Sequence, residues 1–235
     1  MPPSTAIRRR WLVGTLLTLT AATGLIDAVS YLRLGHVFVA NMTGNVVFLG
    51  FALQPDSGLS APASGVAIAG FLAGAALGGR LGAQFGHRPR GWLVTAFGLQ
   101  AGILVAVAVL GGLGALAYAG PPALVTIAVL GASSGVQNAT VRRLAAADLT
   151  TTVLTLTLTG LAADNVIAGG TGAKPHRRIG SVLAMLGGAA VGAELLRFIG
   201  ITGVLALAAV LAIAVTMVFA AAPADDHGGD HSARP

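Results

Sequence analysis

The sequence predicts an all-α membrane protein: six transmembrane helices plus two short polar, re-entrant segments in two inverted repeats. Three observations predict it. The composition cannot face water, the apolar residues fall into eight segments of which two are short and polar, and the second half of the chain weakly repeats the first.

Only 9% of the 235 residues are charged, 55% are hydrophobic and 34 are glycine, and the mean hydropathy is +0.83. A soluble domain carries about 25% charged residues, so this chain lacks the polar side chains to cover a water-facing surface. The formal net charge of +6 comes from short Lys/Arg clusters between apolar runs. Such clusters set membrane topology, and no basic stripe interleaved with aromatics points to nucleic acid. With no cysteine, disulfides, thiolate metal sites and cysteine nucleophiles are excluded.

A bilayer core of about 30 Å needs about 20 apolar helical residues. The apolar segments run 11–33, 37–54, 63–84, 92–117, 122–141, 149–164, 178–198 and 200–221. Six are long enough to span. The second, with Asn41, Thr43 and Asn45, and the sixth, with Thr150, Thr151, Thr152, Thr155, Thr157 and Thr159, are short and polar. Residues 1–10 form an N-terminal tail, 11–221 a single transmembrane domain, and 222–235 a polar tail with nothing to bury, expected to be disordered. The run after Arg8-Arg9-Arg10 is an uncleaved first helix, because it stays apolar past any signal-peptide cleavage site.

Leu72–Arg80 reads LAGAALGGR and Leu186–Glu194 reads LGGAAVGAE, 114 residues apart. Asp27 corresponds to Asn138 (111 residues) and Thr43 to Thr155 (112 residues). Repeat one spans 11–117 and repeat two 122–221, both in the order long, short and polar, Gly-rich, long. If all eight segments crossed with Arg8–Arg10 inside, Arg88 and Arg90 would fall outside, against the positive-inside rule. If segments two and six return to the side they entered from, Arg88, Arg90, Arg142, Arg143, Lys174, Arg177 and Arg178 all fall inside. Both termini are then cytoplasmic. Each repeat has three spans, so the halves are inverted, as in many secondary transporters.

Glycines recur every four residues in segment three, at Gly70, Gly74, Gly78, Gly82 and Gly86. Segment seven repeats the pattern with Gly180, Ala184, Gly188 and Gly192. Residues four apart share a helix face, and small residues there let another backbone approach closely. The two helices are expected to cross each other near the pseudo-two-fold axis.

Ionisable residues within spans are functional candidates by default. Asp27 lies deep in the first segment; its repeat mate Asn138 follows Ser133, Ser134 and Gln137 in the fifth. Asp27 is a candidate for proton or ion coupling. Its structural alternatives are bonds to amides of the re-entrant segment, or a pair with Arg33 or Arg197. Arg80 and Glu194 are also repeat mates, at opposite ends, and Glu194 can instead pair with Arg197 three residues on. Asp148 and Asp164 flank segment six, where capping or solvation is expected. In segment two, Asn41 and Asn45 share a face in a helix, or Gly44 lets the chain unwind; both concentrate polar groups that contact a ligand or bond neighbouring helices.

The run Gly24-Leu25-Ile26-Asp27-Ala28-Val29-Ser30-Tyr31, then Val37-Phe38-Val39-Ala40-Asn41-Met42-Thr43-Gly44-Asn45, resembles the signature of the YoaK-like family of multi-pass bacterial membrane proteins. Gly135-Val136-Gln137-Asn138-Ala139 with Arg142, then Thr151-Thr152-Val153-Leu154-Thr155, is similar to that family's second block. Leu156 departs from it, standing where the pattern has Gly after Leu-Thr, so a break in segment six does not follow from the likeness. The resemblance covers residues 11 to 221. It implies a bacterial membrane protein of unknown function, suspected of small-molecule transport, and leaves the substrate open.

No Walker loop, HExxH, GxSxG or Rossmann fingerprint occurs, and no nucleophile–base set is visible, so the chain is expected not to be an enzyme. No cofactor or metal is called for; Asp225, Asp226, His227, Asp230 and His231 belong to a solvated tail. The leading expectation is an inner-membrane secondary transporter whose midplane site is lined by Asp27, Asn41, Thr43, Asn45, Gln137, Asn138 and Thr155. Gly70, Gly74, Gly78, Gly82, Gly188 and Gly192 serve helix packing. Its partners are the lipid bilayer and an unidentified small molecule, not nucleic acid, with homo-oligomerisation left open. The alternative is a non-transporting membrane scaffold or accessory subunit.

Overall fold

The computed structural model describes residues 9–144, 154–164, 169 and 175–221. Residues 1–8 and 222–235 of the expected tails, Asp148 and the threonines at 150–152 lie outside the described residues, while Arg9 and Arg10, expected in the N-terminal tail, belong to the first helix. Eight helices and no strand are present among the described residues: α1 (Arg9–Arg33), α2 (Met42–Phe51), α3 (Ala61–Phe85), α4 (Pro89–Gly112), α5 (Ala123–Arg143), α6 (Leu154–Ala163), α7 (Pro175–Phe198) and α8 (Gly200–Ala221). Six of them are long and apolar enough to cross a membrane, and α2 and α6, at 10 residues each, are not. Their outward faces expose Leu72, Val109, Leu186 and Met217, which suits hydrocarbon rather than water.

Segment boundaries shift where local chemistry intervenes. The apolar run 37–54 is helical only from Met42 to Phe51, because the chain reverses at Gly35 (φ 113°) and His36 (φ 58°). The run 92–117 stops at Gly112, where Gly111, Gly112 and Gly114 weaken the helix and Gly114 takes φ 74°.

Packing fixes the direction of every span. Gly70, Gly74 and Gly78 of α3 lie against Ala128, Ala132 and Val136 of α5, so numbers rise together and the helices are parallel. A Cβ on Gly70 would sit 2.5 Å from the Ala128 carbonyl oxygen, and one on Gly74 would overlap that of Ala132. Gly188 and Gly192 of α7 meet Ala21 and Leu25 of α1 in the same way, again parallel. By contrast α4 and α8 are antiparallel: Gly98 faces Thr216, Gly112 faces Thr202, and Phe97 stacks on Phe219 with ring centroids 5.4 Å apart. α1 and α5 are also antiparallel, Thr23 meeting Gln137 while Leu16 and Leu19 share a cluster with Val141.

The Gly grooves of α3 and α7 therefore receive α5 and α1, and the expected crossing of α3 with α7 is corrected. The reason is that α5 and α1 carry small residues in matching positions. A Cβ on Gly24 of α1 would lie 2.6 Å from the Met185 carbonyl oxygen, and Gly135 of α5 meets Phe71 likewise. Gly82 is different again, since a Cβ there would reach the Arg143 side chain at 2.5 Å.

With α1 antiparallel to α5, and α3 parallel to α5, α1 ends where α3 begins. The segment carrying α2 leaves and returns at that one end of the bundle. By the same reasoning α5 ends and α7 begins at the other end. Arg88, Arg90, Arg142, Arg143, Arg177 and Arg178 all lie at this second end, where α1 starts.

Candidate functional site

Residues 34–41 run as irregular backbone into the bundle, and side chains from both flanking helices hold them there. Oδ1 of Asp27 accepts from the Val39 amide (3.1 Å) and the Ala40 amide (3.0 Å). Asn45 clips the same segment from α2: its Oδ1 accepts from the Phe38 amide (2.9 Å) and its Nδ2 donates to the Phe38 carbonyl (2.5 Å). The Phe38 ring stacks on Tyr31 at 5.1 Å and on Phe48 at 5.6 Å. Gly44 makes room for it, since a Cβ there would fall 2.7 Å from the ring. His36 meets the Tyr31 ring edge-on at 5.5 Å. Non-helical backbone at this depth persists only where protein satisfies it, and Asp27 and Asn45 do so.

Behind the clamp lies a cavity of about 190 Å³ lined by Thr23, Asp27, Ala40, Asn41, Thr43, Gly44, Leu154, Thr155 and Met185. The N-terminal ends of α2 and α6, which dip from opposite ends of the bundle, meet at it. Asp27 is 3% exposed, and its Oδ2 has no hydrogen-bond partner among the described residues. Asn41 is the N-cap of α2 but makes no side-chain cap bond, which leaves its amide available to the cavity. Thr43 and Thr155 are exposed and form the rim.

Of the seven residues expected at the site, the structure brings together Asp27, Asn41, Thr43 and Thr155. The other three do not line the cavity, because their polar groups are engaged inside the fold. Asn45 holds Phe38, as above. Gln137 stands one bond behind the cavity, its Nε2 donating to Thr23 Oγ1 (3.0 Å) and its Oε1 accepting from Gln100 Nε2. Asn138 donates to the Ser134 carbonyl one turn earlier (2.9 Å). Asp27 takes the amide partners considered among its structural alternatives rather than Arg33 or Arg197. Arg197 instead meets Glu194 at 3.5 Å, with both side chains exposed, so the pair contributes little. Asp164, expected to cap or be solvated, pairs with Arg178 at 2.6 Å.

Thr23, Met185 and Gln100 were missed. Thr23 was findable, being four residues before Asp27 on one helix face, and Gln100 is a lone amide in an apolar span. Met185 enters only through the α1–α7 packing, which no local pattern reveals.

These features define a six-span helical membrane protein with a polar cavity among its helices. The chain belongs to the family described as protein of unknown function (DUF1275), which matches residues 15–218. It is similar to the UPF0700 transmembrane protein YoaK of Bacillus subtilis (strain 168), with 36% identity over 151 residues. That match covers 64% of this chain and 64% of the relative, a little under two thirds of the curated relative's length. No solved structure matches.

Proposed function

We propose that this protein is a secondary transporter of a small molecule, coupled to a proton or ion, in the bacterial inner membrane with both termini cytoplasmic. The observation that carries it is the cavity of about 190 Å³ lined from both halves of the chain, with a buried carboxyl oxygen of Asp27 unpartnered among the described residues. Ionisable groups within membrane spans mark substrate and ion pathways, and discontinuous segments meeting among the spans are the usual binding element of such transporters.

The halves are inverted repeats in this proposal. Supporting it, contacts of Gly24 with Met185, Gly188 and Ala189 recur between Gly135 and Phe71, Gly74 and Ala75. Contacts of Gly188 with Ala21 recur between Gly74 and Ala132. Each correspondence keeps the offsets of 111 and 114 residues read from the sequence, and the mates α1 and α5, like α4 and α8, are antiparallel. The basic clusters gathered at one end support a cytoplasmic location for that end. The scaffold alternative is disfavoured because the glycine grooves that would serve association are filled within the chain by α5 and α1. The chemistry is binding and passage, with no catalytic step assigned.

The test is reconstitution in proteoliposomes with a metabolite screen, comparing wild type with Asp27→Asn. Flux lost in Asp27→Asn with folded protein retained supports the proposal; equal flux in the two proteins excludes coupling through Asp27.

A further inference from the structure

The cavity's lining limits what it can hold, and this inference rests on the transport role proposed above for the same cavity. A cavity of about 150 Å³ accepts a benzene-sized molecule, so about 190 Å³ suits a solute of roughly five to ten non-hydrogen atoms. Among the described residues the one ionisable group in its lining is the Asp27 carboxyl, with no Lys, Arg or His beside it. Asn41, Thr43 and Thr155 share the lining with Asp27, and their amide and hydroxyl oxygens can accept; Thr23 also lines it, its Oγ1 already donating to the Leu19 carbonyl and accepting from Gln137 Nε2. The N-terminal end of α2 would by itself favour an anion, but the carboxyl group of Asp27 already stands beside it, held by the Val39 and Ala40 amides of the segment that leads into α2. Its second oxygen is left over and buried.

We infer that the cavity selects a small organic cation, an ammonium compound whose N–H groups donate to Asp27 and the surrounding threonine and asparagine oxygens. A carboxylate solute of the same shape would meet Asp27 as a like charge in a poorly screened site. A neutral alcohol would gain one hydrogen bond and no charge attraction.

Three probes of nearly one shape separate these cases: tert-butylammonium, tert-butanol and pivalate. Each is titrated calorimetrically into the purified full-length protein in nanodiscs, at millimolar concentrations. Tert-butylammonium alone should bind. Asp27→Asn, which keeps a carbonyl oxygen for the Val39 and Ala40 amides, should weaken it tenfold or more. Thr43→Val, which leaves the Asp27 clamp untouched, should weaken it several-fold, and Thr155→Trp, which fills the cavity, should abolish it. If pivalate or tert-butanol binds as well as the ammonium and Thr155→Trp abolishes it, the cation preference is overturned while the cavity stays a binding site. If the ammonium binds but neither Asp27→Asn nor Thr155→Trp affects it, the assignment to this cavity is wrong. If no probe binds, both the cation preference and the transport role of the cavity are overturned.

Discussion

One oxygen of Asp27 holds the Val39 and Ala40 amides and the other is buried with no partner among the described residues, in a residue that lines the cavity, so substitution can separate the two roles. Asp27→Ala removes both bonds and strands two buried amides; a loss of about 3 kcal/mol is expected, seen as a lower midpoint of unfolding in detergent. Asp27→Asn should unfold close to wild type while losing ligand binding. A midpoint for Asp27→Asn as low as for Asp27→Ala would mean that the carbonyl clamp is not what the residue supplies. The glycines give a second contrast. Gly74→Ala puts a Cβ into the Ala132 carbonyl and should destabilise by about 1–3 kcal/mol. Gly79→Ala, with open space around it, should stay within about 0.5 kcal/mol of wild type. Equal effects at the two positions would remove backbone approach as the reason for the stripe. At this scale the sequence exposed which residues are polar and buried, but not what each bonds. Asn45, Gln137 and Asn138 read like ligand residues because an amide in an apolar run looks the same whether it meets a solute or a backbone.

At the scale of elements, the six spans were legible because bilayer thickness imposes a length and hydropathy that composition alone reveals. The ends of the short segments were less so. Residues 37–41 are as apolar as a helix, yet they unwind because Asp27 and Asn45, 12 and 7 residues away from the amides they hold, replace helical bonds. The partner of each glycine groove was illegible for a related reason: a smooth face accepts any other smooth face, and α1, α3, α5 and α7 all have one. The opposed directions of α1 and α3 place the loop at Ser57 and the loop at His87 at opposite ends of the bundle. Because the chain has no cysteine, Ser57→Cys and His87→Cys each report one loop. In intact cells a membrane-impermeant maleimide should label position 57 and spare 87. Labelling of 87 with protection of 57 would reverse the orientation, and equal labelling in sealed cells would contradict the span directions.

For the whole molecule, the two halves pack through each other rather than side by side: α3 lies on α5, α1 on α7 and α4 on α8. Each half is thus completed by the other, and the cavity takes Thr23 to Gly44 from the first half and Leu154 to Met185 from the second. The proposed repeat shows in the sequence only as an offset between similar segments, whereas the packing of each half's helices on those of the other is a property of the fold alone. The direct test uses the double variant Thr43→Cys and Thr155→Cys, whose side chains line one cavity though their segments dip from opposite ends. In membranes, a short bifunctional maleimide should join the two, detected as linkage of the two fragments after cleavage at a protease site inserted in the Gly114–Pro121 loop. Failure to join them, with each single cysteine still reactive, would contradict a shared site built by the two halves.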